Sequence, residues 1–285
     1  MIKIYVKFPS FGLGNKLLLF AQAFSFAQNN NAEIYVGRWW HISWGAILRR
    51  ERSKRFYFRL FINEPIAKKI DFFFTEKSIG KVSIDRYAEW ISNNKQLLVF
   101  DRLILKDDYF FESKPYRDSI KNKIFEIMTD KVRKRIEALE HPVIGVHIRR
   151  GDFKINSTIT PISFFVEGVR ALRSITNQTL YVTVFSDADD LELTEILSLE
   201  NVKRSNNATD LDDLIQMSYS KILLLSIGST FSYFAAFISD SIIIKHMHDW
   251  QDDIRPKEIN DKFFEGKVDF DMELPLILVD QINKI

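Results

Sequence analysis

Ile2, Ile4, Val6 and Phe8 alternate with polar residues, the period of a strand with one buried face. Phe11-Gly12-Leu13-Gly14-Asn15 then makes a tight loop. Leu17, Phe20, Ala21, Phe24 and Ala27 follow at helical spacing and predict a helix of about four turns. Residues 34–36 read as a second short strand, which completes a βαβ opening. Residues 38–60 break the pattern: Trp39, Trp40 and Trp44 precede Arg49-Arg50-Glu51-Arg52-Ser53-Lys54-Arg55. From there to about residue 140 the periodicity is mostly helical. Short apolar runs at 72–74 and 97–100 read equally as strands or as buried turns.

The second half is more regular. The apolar run at 143–148 predicts a buried strand. Thr160 is placed to cap, and Pro161 to open, a helix reaching about residue 175. A strand at 180–185 ends in Ser186-Asp187, and Asp189 or Asp190 opens a helix to about 199. A short strand at 202–204, an amphipathic helix at 210–219 and a strand at 221–226 follow. The last of these runs into Ile227-Gly228-Ser229-Thr230, an apolar helix at 231–238 and a strand at 241–244. Strict alternation of strand and helix predicts an α/β fold with a parallel, doubly wound sheet. In such a sheet the C-terminal strand ends share one edge, where ligands bind. Three polar clusters, at 147–152, 186–187 and 228–232, are therefore expected to converge there.

Composition narrows the classes. With 285 residues, 46% of them hydrophobic, the chain can form one large or two ordinary domains, and 25 phenylalanines can fill the cores. A formal charge of +2 does not describe a general nucleic-acid binder. The absence of cysteine excludes disulfides, thiolate zinc sites and a cysteine nucleophile. No apolar window of about 18 residues predicts a membrane span, and the N-terminus lacks the apolar core of a signal peptide. The expectation is a soluble, cytoplasmic protein. The run at 49–55 reads as a solvated helix face, with peripheral contact to an anionic membrane or a lipid-phosphate-linked acceptor as the alternative.

The densest chemistry lies in His147-Ile148-Arg149-Arg150-Gly151-Asp152. Arginine grips phosphate bidentately and can stabilise charge on a leaving nucleotide without a metal. Adjacent arginines on an extended chain point apart, so one of Arg149 and Arg150 faces the ligand while the other braces the loop or Asp152. His147 at the strand lip can donate to a base or a phosphate. Ser186 and Asp187 can accept from guanine or ribose, or can simply cap a helix. Gly228-Ser229-Thr230 opens a helix and so forms either an anion site or a plain cap. Gly12-Leu13-Gly14 lacks the third glycine of a dinucleotide fingerprint, with Leu17 in that place, and Asn15 either caps the helix or reaches into the cleft. His246-Met247-His248-Asp249 carries a minor metal-binding reading, so the expectation is no metal.

Together these clusters resemble the glycosyltransferase family 11 α-1,2-fucosyltransferases and are similar to the wider superfamily of α-1,6- and protein O-fucosyltransferases. The motif His-x-Arg-Arg-x-Asp is met by His147, Arg149, Arg150 and Asp152. Gly12-Leu13-Gly14-Asn15-Lys16 resembles Gly-x-Gly-Asn-Gln, with Lys for Gln. Ser186-Asp187 resembles Phe-Ser-Asp-Asp, interrupted by Ala188. Residues 210–218 are similar to the segment preceding a third motif, which Gly228-Ser229-Thr230-Phe231-Ser232-Tyr233-Phe234-Ala235-Ala236 matches with Gly for Asn and with Tyr and Phe for two Trp. The resemblance covers the N-terminal loop and most of 143–250.

The resemblance implies a GT-B-like fold, two Rossmann-like doubly wound domains facing across a cleft. Residues 1–140 would form an acceptor-side domain, 141–265 a GDP-sugar-binding domain, and 266–285 a segment packing back. It implies metal-free, inverting transfer of L-fucose from GDP-β-L-fucose to the 2-hydroxyl of a terminal galactose in a surface glycan such as an O-antigen. The partners would be the GDP-sugar and an oligosaccharide acceptor, lipid-linked or free. By the same analogy Arg149 binds pyrophosphate and Arg150 supports its loop. His147 and Asp187 contact guanine or ribose, Gly228, Ser229, Thr230 and Phe231 line the phosphate and base pocket, and Gly12, Gly14 and Asn15 stand on the acceptor side. Asp152 is the first candidate for general base and Glu167 the second, with the leaving phosphate as the third route. A transferase of another donor or linkage, and a non-catalytic nucleotide or glycan binder on the same scaffold, are the competing readings.

Overall fold

A computed structural model describes residues 3–40, 57–62, 81–83, 97–104, 108–150 and 159–285. Trp44, the basic run at 49–55, the apolar run at 72–74, Gly151 and Asp152 lie outside the described residues. The chain forms two compact units, the described residues up to Arg133 in the first and those from Lys134 onward in the second.

In the first unit, β1 (Lys3–Val6), α1 (Leu13–Asn29) and β2 (Glu33–Val36) realise the expected βαβ opening. β3 (Lys81–Ser83) and β4 (Leu97–Phe100) complete a parallel sheet of order β2-β1-β4-β3, with Ile4 opposite both Ile34 and Leu98. The apolar run at 97–100 is thus a strand. Ile4, Val6, Leu98 and Phe100 pack on Leu19, Ala23 and Ala27 of α1. That helix is apolar on nearly every side and is correspondingly buried all round. The Gln22 amide ties it to the segment after β4, donating to the Ile104 carbonyl at 2.9 Å and accepting from the Ile104 N–H at 3.0 Å. Helix α1 begins at Leu13 with Gly12 as its N-cap residue, earlier than the spacing indicated. Gly14 and Asn15 therefore sit inside its first turn, and Asn15 is not the cap. A 3₁₀ turn (Phe111–Tyr116), α2 (Arg117–Ile127) and α3 (Asp130–Glu137), in which the chain passes from the first unit to the second, supply the helical texture expected before residue 140.

The second unit alternates strictly. β5 (Ile144–Ile148), α4 (Ile162–Thr176), β6 (Val182–Ser186), α5 (Thr194–Leu197), β7 (Val202–Arg204), α6 (Asp210–Ser218), β8 (Ile222–Leu224), α7 (Thr230–Ile238), β9 (Ile242–His246), α8 (Lys257–Asn260), β10 (Glu265–Val268) and α9 (Leu276–Ile282) follow in turn. All strands are parallel, in the order β10-β9-β8-β5-β6-β7. From β5 the chain builds outward through β6 and β7, then returns to the other side of β5 with β8. The topological switch point is therefore the β5–β8 junction.

Ile144, Val146, Ile148, Val182, Val184, Ile222, Leu224, Ile242 and Ile244 share a core with Phe165, Val169 and Leu172 of α4 and Leu278 and Ile282 of α9. Gly168 lets α4 lie this close, since a Cβ there would meet Leu224 Cδ2 at 2.6 Å and a Phe270 ring atom at 2.7 Å.

Three local expectations need correction. Thr160 does not cap α4: Pro161 holds the N-cap position, and the Thr160 hydroxyl instead accepts from the Ile227 N–H at 2.8 Å. The helix expected from Asp189 to about 199 shrinks to α5, one turn long, because 189–193 are spent in consecutive turns. Ser186 and Asp187 are thus too far from its start to act as caps. β10 and α9 were not foreseen, since 247–264 interrupt the alternation and hide the register.

Candidate functional site

The C-terminal ends of β5, β6 and β8 bring the expected clusters together within the second unit. β5 pairs with both neighbours, so residues 149–150, 186–187 and 226–229 leave the sheet side by side. Two serines stitch these ends. Ser226 Oγ donates to the His147 carbonyl at 2.8 Å and accepts from the Arg149 N–H at 2.9 Å. Ser186 Oγ donates to the Ile148 carbonyl at 2.6 Å and accepts from the Ala188 N–H at 3.0 Å. The chain after β5 is therefore held on both flanks before any ligand arrives.

Asp187 orients the arginine pair. One carboxylate oxygen accepts from Arg149 Nη1 at 2.5 Å, and the other accepts from the Arg150 N–H at 2.8 Å. The two arginines differ in burial and in side-chain partners. Arg149 is half-buried, and Arg150 is buried, donating from Nη1 to the Arg149 carbonyl at 3.1 Å. One guanidinium thus stands at the edge of the site while its neighbour stiffens the loop.

His147 is 4% exposed, its Nδ1 is buried without a hydrogen-bond partner, and its ring lies 5.5 Å from that of Phe231. Burial, reinforced by the Arg149 charge, lowers its pKa to about 3. The imidazole is neutral at physiological pH, with one nitrogen a donor and the other an acceptor.

Gly228 occupies the left-handed region at φ 68°, which glycine enters without a Cβ penalty. Its N–H donates to Tyr233 Oη at 2.6 Å, and that hydroxyl donates to Asp249 Oδ1 at 2.5 Å. Asp249 also accepts from the Gln251 N–H at 3.0 Å, and burial raises its pKa despite these donors. This relay fixes the turn from β8 into α7 and leaves Ser229, buried, as the N-cap residue without a side-chain cap bond. The first-turn N–H groups of a helix point outward and favour anions. Here they lie immediately beyond β8, beside the end of β5, with Thr230 and Phe231 half-buried on the first turn.

Ser226 was not singled out by motif reasoning, while Thr160, Tyr233 and Asp249 were read only as a helix cap, a motif match and part of a metal-binding segment. The signal available was position: polar residues at or just past strand ends in an otherwise apolar sheet. Arg204 belongs with them, since its guanidinium donates to the Ser186 carbonyl at 3.1 Å and the Ala188 carbonyl at 2.6 Å, pinning the turn that carries Asp187.

Other candidates stand elsewhere. Glu167 is half-buried on α4. Gly12, Gly14 and Asn15 belong to the first unit, where a Cβ on Gly12 would meet nothing within 4 Å. Lys16 is fully buried there, its ammonium donating to the Trp39 carbonyl at 2.6 Å, and burial lowers its pKa to about 8. His246 Nδ1 accepts from the His248 N–H at 3.1 Å, and no trio of His, Asp or Glu among the described residues is arranged to hold a metal.

The sequence profile described as glycosyl transferase family 11 matches residues 68–267, most of the chain and all of the second-unit site. The chain belongs to glycosyltransferase family 11. No curated protein matches it. Among solved structures, the family 11 chain is similar to NodZ α-1,6-fucosyltransferase soaked with GDP-fucose, at 16% identity and a TM-score of 0.52, over 89% of this chain and 98% of that one. NodZ co-crystallised with GDP gives 16% and 0.53 over 86% and 95%, and fucosyltransferase NodZ from Bradyrhizobium gives 15% and 0.51 over 84% and 94%. At this identity the likeness establishes the fold, a GT-B-like arrangement of parallel α/β sheets.

Proposed function

We propose that this family 11 glycosyltransferase moves L-fucose from GDP-β-L-fucose, with inversion, to the 2-hydroxyl of a terminal galactose in a surface glycan, the O-antigen among the candidates. The observation that carries the reading is the Arg149–Asp187 pair at the end of β5, the strand that also pairs with β8, from which the chain enters α7. The family assignment supplies the reaction class. The similar NodZ structures were soaked with GDP-fucose and co-crystallised with GDP, which favours that donor.

In this reaction the acceptor oxygen forms a bond to the fucose anomeric carbon as the bond to the β-phosphate oxygen breaks. The departing GDP gains negative charge, and the acceptor loses a proton. Arg149 and the α7 N–H groups meet that charge in place of a metal ion. His147 and Asp187 hold the guanosine, Ser186, Ser229, Thr230 and Phe231 border it, and Arg150 keeps the loop rigid. Asp152 takes the acceptor proton. The first unit, with Gly12, Gly14 and Asn15, receives the acceptor. The run at 49–55 keeps the enzyme at the inner face of the membrane, where a lipid-linked acceptor is presented. Another linkage is a real competitor, because NodZ is named an α-1,6-transferase and Gly228 and Ala188 depart from the family motifs.

Calorimetry with GDP in the presence of EDTA, with UDP and ADP as controls, tests the donor. Selective GDP binding is expected. Arg149→Ala is expected to stay folded and lose roughly 100- to 1,000-fold in kcat. Asp152→Asn should keep GDP affinity while losing turnover. Arg149→Ala with near-normal activity sinks the mechanism, and nuclear magnetic resonance of the disaccharide decides the linkage.

A further inference from the structure

The surface of the first unit carries a feature unrelated to nucleotide chemistry. Tyr57 and Arg59 both hold left-handed backbone, at φ 45° and 61°. Neither is a glycine, asparagine or aspartate, the residues that enter this region readily, so each position is strained. The strained turn buries Tyr57 and Leu60 and thrusts Phe58 between them into solvent at 57% exposure. Trp40, half-exposed, meets Phe58 edge to face with ring centres 6.1 Å apart.

Arginine flanks each ring. The Arg38 guanidinium lies 5.6 Å from the Trp40 ring centre and that of Arg59 lies 5.0 Å from the Phe58 ring centre. Among the described residues neither arginine has a carboxylate within ion-pair distance. The Arg59 carbonyl accepts from Thr129 Oγ1 at 3.1 Å, and the next residue, Asp130, is paired with Arg133. The local charge is one-sided in sequence as well. Residues 38–59 hold seven Arg or Lys against one Glu, whereas the whole chain holds 40 against 38.

Two exposed aromatic rings, each backed by a guanidinium that has no ion pair among the described residues, match a boundary that is apolar below and negatively charged above. Tryptophan settles at the headgroup level, phenylalanine buries into the boundary between headgroups and acyl chains, and arginine pairs with anionic headgroups. We infer that Arg38, Trp40, Phe58 and Arg59 form a membrane-docking patch that inserts its two rings into an anionic lipid surface. This deepens the membrane reading given above for the run at 49–55 by naming a separate, structured contact.

Flotation of the full chain with vesicles of phosphatidylcholine alone, and with added phosphatidylglycerol, tests the patch. Three proteins are compared: wild type, Trp40→Ser/Phe58→Ser, and a variant with Arg49, Arg50, Arg52 and Arg55 changed to Gln, each checked for folding by thermal melt. Wild type is expected to float with the anionic vesicles only, less so at high salt. The ring variant is expected to lose roughly tenfold or more in partitioning. Arg38→Gln/Arg59→Gln supplies a second test of the same patch that leaves the rings in place, and a similar loss is expected. If the ring and Arg38/Arg59 variants float like wild type while the Gln variant does not, the patch is overturned and the basic-run reading stands. If wild type ignores anionic vesicles, both fall. If the ring variant floats normally but fails with a lipid-free acceptor, the patch belongs to glycan binding and the inference is overturned.

Discussion

His147 shows how far one side chain can be displaced from its solution behaviour. An unfolded histidine titrates at 6.5, whereas this one waits until about 3. Between those values the unfolded chain holds a proton that the folded one refuses. Stability therefore rises with pH across the window and falls as acid is added, by up to about 1.4 kcal/mol per pH unit from this residue. His147→Leu is expected to flatten that slope in urea unfolding measured through the window. An unchanged slope would mean that the ring is hydrated and charged. The presence of His147, Arg149 and Asp187 was legible in the sequence, because the motif follows an unmistakable buried strand. Their division of labour was not. Asp187 was read as a ligand contact, and the structure adds a second task, since it holds both the Arg149 side chain and the Arg150 backbone. Which carboxylate meets which arginine depends on how far each residue travels past its strand end, and sequence spacing carries no record of that.

Among the elements, α7 owes its position to a single phenol. Tyr233 accepts from Gly228 N–H and donates to Asp249, so the turn, the helix and the segment after β9 share one hydroxyl. Tyr233→Phe leaves a backbone donor and a buried carboxylate each short of a partner. A loss of about 1–3 kcal/mol is expected in denaturant unfolding, with weaker GDP binding as the turn loosens. A loss under about 0.5 kcal/mol would show that water replaces the hydroxyl. The same relay accounts for tyrosine at a position where the family motif has tryptophan. Strands β5, β6 and β8 were readable because buried parallel strands are continuous apolar runs. α5 was misjudged because Asp189 and Asp190 carry the chemistry of a helix start, but consecutive turns use them before the helix begins.

At the scale of the molecule, the second unit closes on a buried charge cluster. The Glu265 side chain on β10 is fully enclosed and accepts from Lys245 at 3.1 Å, from Arg255 Nε at 3.4 Å and from the Ile254 and Arg255 N–H groups at 2.5 and 3.2 Å. Arg255 also donates to the carbonyls of Ser241 and Phe263, at 2.7 and 3.0 Å. These bonds define the path of 247–264, the stretch that periodicity could not read. Glu265→Gln strands two enclosed cations and is expected to cost about 3–5 kcal/mol in thermal or denaturant unfolding. A cost near zero would mean that water reaches the cluster. The cluster also orders events in time. Lys245 is made 20 residues before its counter-charge and 37 residues before the end of α9, whose Leu278 and Ile282 seal the same core. At translation speeds of roughly 5–20 residues per second, β9 waits about 1–4 s for its counter-charge and about 2–7 s for α9 to cover the core. Synthesis rate, rather than sheet stability, therefore sets how long this face of the nascent chain must be kept from other chains.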